Sequence, residues 1–393
     1  LQDGTLKSQV LFQNELLGNR VDFHLITAVY NADGSLEEIV MTRDKSETSD
    51  ALQAFQHTLY AGTVQNKILK ILLWDQLKTP SGLLKAKSYD TDGVIPNAAG
   101  IKTAATSIDA SYDINTDNET IVLTAKTNGA NEAVNAVVTY DGQDIEHIDY
   151  GSVKNTVSYL DEKTTGNDGR VSFTYQLPSQ KQIYNVRLTL SDSKLYKDMS
   201  FEFFPKSYIE GVITSVNAAN DASLLKEIIE TNKKALDIKL PLYDEIAGSG
   251  TAPVYQTMLD IKSKNPNNVF LNAVQIKEAF HIGVILRAMD LESSNADITG
   301  LISEYNTLLG LSSSPAYAVY NAFSQTVKEN VAGNFKHTGF YKQADIQHLF
   351  NEKTIATAIY EAPKWADGEA VMKAVDDIAK LDWTVYNKLR YKS

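Results

Sequence analysis

The chain has 393 residues, 43% hydrophobic and 22% charged, which is the ordinary globular range and more than one hydrophobic core usually serves, so two or three domains are expected. Its formal net charge of −12 argues against neutralising phosphates, and no nucleic acid is expected as a partner. The absence of cysteine excludes disulfides, thiolate metal sites and thiol nucleophiles, leaving packing as the source of stability.

From Leu11 to Leu84 the sequence reads as β. VDFHLITAVYNADGSLEEIVM alternates apolar and polar residues about Asp33-Gly34, the signature of a hairpin whose glycine accepts positive φ. After a segment from Gln53 to Tyr60, the run KILKILLWDQL carries Ile68, Leu69, Ile71, Leu72, Leu73 and Trp74 and predicts a buried central strand. YDTDGVIPNAAGIKTAATS then shows no sustained period and reads as a linker. Between Ile108 and Phe204, strand-length runs (ETIVLTAKT, NAVVTYDG, RVSFTYQL, IYNVRLTL, KDMSFEFF) are separated by turns that include Asp141-Gly142 and Asp168-Gly169. That is the pattern, and about the size, of an immunoglobulin-type sandwich.

Beyond Pro205 the apolar spacing changes to three and four, as in LLKEIIETNKKAL, with Asn220, Asp221 and Ser223 as candidate N-caps. VQIKEAFHIGVI, with Ile276 and Phe280, aligns with ADIQHLFNEKTI, with Ile346 and Phe350, at an offset of 70; KKALDI, ending at Ile238, aligns with NTLLGL, ending at Leu311, at 73. KLDWTVYNKL, with Tyr386 matching Tyr243, begins a third copy. The expected fold is multidomain β plus α: a β-sandwich-like module over 1–88, a linker over 89–107, an Ig-like β-sandwich over 108–206, and an all-α helical repeat domain over 207–393 with two repeats of about 70–75 residues and a truncated third.

No HExxH, GxSxG, Walker-type or GxGxxG motif is present, and His24, His57, His147, His281, His337 and His348 show no metal-ligand spacing. No catalytic, cofactor-binding or metal-ligating residue is assigned, and no cofactor or enzyme activity is expected. Asp113, Asn115 and Asp117 resemble the start of a calcium loop, but Asn118 and Thr124 stand where glycine and glutamate are needed, so a solvated turn fits better. Asp90-Thr91-Asp92-Gly93 is a weaker match. Asp141, Asp144, Glu146 and Asp149 cluster beside His147, either as a charged loop or as a carboxylate pair facing a cleft. Of the tryptophans, Trp74 reads as core, while Trp365 and Trp383 are candidates for sugar stacking or helix packing; the Lys388, Arg390, Lys392 tail is too short to be a binding patch. No stretch approaches the roughly 18 apolar residues of a transmembrane helix. Leu1 is not a methionine and no signal peptide precedes it, so an internal or processed fragment is expected.

Three segments carry a resemblance. AVYNADGSLEEIV followed by KILKILLWDQLKTPSGL resembles a small β-module of large exported proteins of Paenibacillus and Clostridium relatives, patterned AVYDxxGKL and xLWDSLxxMxPL. Leu73, Trp74, Asp75 and Leu77 match it, Thr79 and Pro80 stand near its proline, and its methionine is missing. TGNDGRVSFTYQLPSQKQIYNVRLTL is similar to the Ig-like modules that follow in such proteins through Asp168, Gly169, Phe173, Leu177, Pro178, Tyr184 and Val186. VNAANDASLLKEIIETNKKALDI and LDWTVYNKL resemble the helical repeats beside them. The resemblance implies a segment of a secreted, surface-layer-associated multimodular protein of Firmicutes, used for spacing, display or attachment. Its partner would be a cell-wall polymer, an extracellular polysaccharide or another surface protein. The alternative it leaves open is a carbohydrate-binding accessory region of a secreted glycoside hydrolase or polysaccharide lyase.

Overall fold

The computed structural model describes residues 5–13, 19–47, 52–60, 62–90, 93–95, 102–292, 294–339 and 342–361. Trp365, Trp383, the third repeat copy and the basic tail lie outside the described residues, as do Thr91 and Asp92. The chain forms two compact units, Leu1–Tyr208 and Ile209–Ser393: strands first, then helices.

In the first unit the Asp33-Gly34 turn, with Gly34 at φ +84°, joins β2 (Asp22–Asn31) to β3 (Leu36–Lys45). β5 (Lys67–Trp74), β6 (Gly82–Asp90) and β7 (Gly93–Ile95) complete an antiparallel sheet in the order β3-β2-β5-β6-β7. A two-stranded ribbon of β1 (Thr5–Gln13) and β4 (Leu52–Tyr60) covers one face. There, Leu6, Leu59, Val29 and Leu69 form one apolar cluster and Phe23, Leu25, Leu73, Phe12 and Phe55 another.

The opposite face, with Ile26, Ala28, Tyr30, Leu72 and Trp74, belongs to the same core as the following strands. These form a sandwich. One sheet is ordered β11-β10-β13-β14, from β10 (Ala133–Tyr140), β11 (Val157–Thr164), β13 (Gln182–Leu190) and β14 (Tyr196–Phe203). The other is β12-β9-β8, from β8 (Ile108–Asn115), β9 (Thr120–Thr127) and β12 (Arg170–Gln176). Tyr159 of β11 stacks on Tyr175 of β12 across the sandwich, with centroids 4.5 Å apart. Gly169, at φ +72°, closes the turn before β12; a Cβ there would lie 2.3 Å from the Thr127 carbonyl oxygen, so the position admits only glycine without a backbone shift.

The two β segments are therefore not separate modules on a linker. Every residue of β2 from Phe23 to Tyr30 is buried, because both faces of the strand are covered. Asn135 donates to the Pro80 carbonyl (2.8 Å), and the Tyr30 hydroxyl donates to the Leu160 carbonyl (2.5 Å) while accepting from the Leu160 N–H (3.2 Å). The stretch read as a linker is itself partly structured. β7 pairs with β6, Thr103 bridges Ala130, and Ala105 is buried with its N–H donated to Glu132 Oε1 (2.9 Å). Low-period composition reports neither a three-residue strand nor a single bridge.

The second unit begins within α1 (Lys206–Ala218). Two sets of four helices follow: α2 (Ala222–Asn232), α3 (Pro241–Ile246), α4 (Ala252–Lys264) and α5 (Ala273–Leu291), then α6 (Asn295–Tyr305), α7 (Pro315–Ala322), α8 (Gln325–Ala332) and α9 (Gln343–Glu361). α2 packs on α4 as α6 packs on α8, and α3 on α5 as α7 on α9. The turns after α2 and α6 share their wiring: Leu236 N–H reaches the Asn232 carbonyl as Leu309 N–H reaches Tyr305, and Ile238 N–H reaches Lys233 as Leu311 N–H reaches Asn306. Both turns hinge on a left-handed residue, Asp237 (φ +49°) in one and Gly310 (φ +72°) in the other. Asp221 caps α2 and Ser294 caps α6. α5 is buried nearly all round, and at Gly283 a Cβ would lie 2.6 Å from the Val254 carbonyl oxygen, which is how α4 and α5 approach so closely. Among the described residues no helix is long and apolar enough to cross a membrane.

Candidate functional site

A concavity of about 520 Å³ lies on the first unit. Cross-strand register assembles one wall: Val137 faces Arg187, Thr139 faces Asn185, Asn185 faces Ser200 and Arg187 faces Asp198, so these side chains share one face of the four-stranded sheet. Leu77 and Lys78, from the loop after β5, and Gln143, Asp144, Ile145 and Glu146, from the loop after β10, complete the lining. Asp141-Gly142, with Gly142 at φ +73°, turns the chain into that second loop.

The charges around the cleft are matched. Lys78 Nζ donates to Glu146 (2.8 Å), and Arg187 holds both oxygens of Asp198 (2.6 Å each) while its guanidinium lies 4.2 Å from the Tyr196 ring centroid. Asp144 bonds His147 (2.6 Å), which keeps the carboxyl below its usual pKa and the imidazole above its own. Asp149 accepts from the Gly151 N–H and the Ser152 hydroxyl, and so shapes its own turn. Of the acidic cluster seen in the sequence, Asp144 and Glu146 thus reach the cleft and Asp149 does not line it. Asn185, Arg187 and Asp198 had no motif to announce them; the only signal was strand alternation, which places them on the outward face.

Elsewhere the singled-out residues serve the fold. Trp74 is fully buried. Asn115 Oδ1 accepts from the N–H groups of Asp117 and Asn118, closing a turn. Among the described residues no group of three or more His, Asp or Glu is placed to hold a metal ion.

His57 joins a polar chain between ribbon and sheet. Asp44 can only accept, so the Thr42 hydroxyl donates to it (2.6 Å) and must itself accept from His57 Nε2–H (3.0 Å). Nδ1 is then the acceptor for the Thr27 hydroxyl (2.9 Å), which accepts from Ser8 (2.9 Å). Burial lowers the His57 pKa below 6.5, with Asp44 pulling the other way. The unfolded chain therefore takes up the proton first as pH falls, and the stability the neutral ring contributes is lost from about pH 6.5 down to the lowered folded value. In urea titrations from pH 7.5 to 5, His57→Gln is expected to flatten the fall in stability; a variant with the wild-type slope would show that His57 does not titrate with folding.

No family model matches the chain, and no curated protein matches it. Solved structures resemble about half of it. The β-D-glucuronidase of Dictyoglomus thermophilum matches with 8% identity over 52% of this chain and 37% of its own, at a TM-score of 0.16. The amphioxus IgVJ-C2 molecule matches with 12% identity over 52% of this chain and 98% of its own, at 0.14. The central fibronectin-III array of RIM-binding protein matches with 11% identity over 52% and 70%, at 0.15. The chain spans little more than a third of the Dictyoglomus enzyme and 28% of the Parabacteroides merdae β-glucuronidase.

Proposed function

We propose that this chain is a non-catalytic structural and interaction segment of an exported cell-surface protein, with an Ig-like sandwich and a helical repeat that space, display or attach the rest of the protein. The observation that carries this reading is the common core of the first unit, which makes three of its sheets behave as one stiff block. The charge pairing in the cleft supports it too, since Glu146 and Asp198 are each engaged by a cation and Asp144 is hydrogen-bonded to the His147 imidazole. A duplicated helical unit adds an extended surface for a wall polymer, an extracellular polysaccharide or another surface protein.

The chain is expected to sediment with wall sacculi carrying their secondary polymers, to stay in solution with acid-stripped sacculi, and to leave a panel of chromogenic glycosides intact. Turnover of any glycoside at a rate abolished by Asp144→Ala or Glu146→Ala would overturn the non-catalytic reading, and failure to sediment with either preparation would overturn attachment to the wall.

A further inference from the structure

We infer that the cleft between the Leu77-Lys78 loop and the outward face of β10, β13 and β14 binds a neutral, polyhydroxylated ring ligand, an uncharged oligosaccharide. This deepens the attachment reading above and rests on it only for where the ligand is met.

The size is right: about 520 Å³ falls within the roughly 300–1,000 Å³ of small-ligand sites. The lining has two chemistries in the arrangement a sugar needs. Ile145, half-buried, offers apolar surface to the C–H face of a ring, and the buried Leu77 and Val137 line the cleft with it. Around them stand the Asn185 and Gln143 amides, each with donor and acceptor side by side, the acceptor-only Asp144, Glu146 and Asp198 carboxylates, and the Thr139 and Ser200 hydroxyls. Vicinal hydroxyls, each donor and acceptor at once, match such a rim. Asn185 Nδ2 is held only at 3.5 Å from Asp141 and can turn to a ligand without breaking a strong bond.

Charge decides against an anionic ligand. Each cation in the rim already faces its counter-charge, Lys78 with Glu146 and Arg187 with Asp198. An acidic ligand would have to displace one of these carboxylates and approach a chain of net charge −12. A hydroxyl can instead use the carboxylates' remaining lone pairs and leave both ion pairs in place. This assigns recognition to strand residues of the sandwich and not to Trp365 or Trp383.

The test is calorimetric titration of the whole chain with hexasaccharides of glucose, xylose and N-acetylglucosamine, and with hexagalacturonate as the charged counterpart. At least one neutral hexasaccharide is expected to bind, with Asn185→Ala weakening it at least about tenfold, or 1.4 kcal/mol. Ser200→Trp, which fills the cleft from an exposed position, should abolish binding. Tyr112→Ala, on β8 of the other sheet, should leave it unchanged, and Asn185→Ala and Ser200→Trp should keep the wild-type unfolding midpoint. Binding that survives Ser200→Trp, a preference for hexagalacturonate, or no binding by any neutral hexasaccharide would each overturn the proposal. Sacculi sedimentation of Ser200→Trp separates the two readings: retained sedimentation with lost oligosaccharide binding leaves wall attachment standing on another surface.

Discussion

Asp161→Asn is expected to lower the stability of the first unit by about 3–5 kcal/mol, the usual cost of removing one partner from a buried ion pair. Asp161 is 1% exposed. One of its oxygens meets Lys70 Nζ at 2.5 Å and accepts from the Tyr159 hydroxyl at 2.8 Å, while the other accepts from the Glu162 N–H. The Lys70 ammonium also lies 5.0 Å from the Tyr30 ring centroid and 5.7 Å from that of Tyr159. Asparagine keeps the shape but removes the charge, leaving an ammonium among aromatic rings without its anion. Burial, and the carboxylate next to it, hold the Tyr30 phenol far above its usual pKa, so this phenol cannot ionise to replace the lost anion. Lys70→Met combined with Asp161→Leu should recover most of the loss, because the pair then returns to an apolar contact. Urea unfolding followed by tryptophan fluorescence reads both variants. A loss below about 1 kcal/mol for Asp161→Asn would mean that water reaches the pair and that it does little to join the two β segments.

Phe350→Ala is expected to cost about 3–5 kcal/mol and to act locally. Phe350 is fully buried, 5.1 Å from Tyr320 edge-on and 6.2 Å from Tyr317. Its counterpart Phe280 sits 5.0 Å from Tyr243 and 6.2 Å from Tyr255. Each phenylalanine is ringed by tyrosines of its own repeat, yet the second half of α5 packs into the core of α6 to α9. Hydrogen exchange in Phe350→Ala should therefore speed up in α6 to α9 and in the C-terminal half of α5, and change little in α2 to α4. Uniform acceleration across the unit would show a single cooperative block.

Those two sites differ in how visible they are in the bare sequence. Phe280 and Phe350 announce themselves, because helical packing needs an apolar residue at a fixed phase and the same phase returns 70 residues on. The hairpin at Asp33-Gly34 and the buried strand ending at Trp74 are legible for the same reason: turn chemistry and an apolar run are local properties. β8 and β11 escape such a reading. β8 lies at a sheet edge with Tyr112 and other side chains exposed, so it lacks a clean alternation. In β11 all residues from Val157 to Asp161 are buried, and a carboxylate within that run contradicts an apolar pattern. Asp161 is tolerated there only because Lys70 arrives from a strand about 90 residues earlier, a pairing no window of sequence contains. The cleft was hidden likewise, since Arg187 gains its meaning from register and Lys78 and Glu146 from two loops 68 residues apart that meet in space.

The face of β2 that carries Ile26, Ala28 and Tyr30 bears on how such a protein can be cut and recombined. A boundary drawn in the low-complexity stretch near residue 96 would leave both pieces with an uncovered apolar sheet, and each should aggregate when expressed alone. The portable piece of this half is Leu1–Tyr208 taken whole, so exchange of parts between related chains should respect its outer limits and spare its middle.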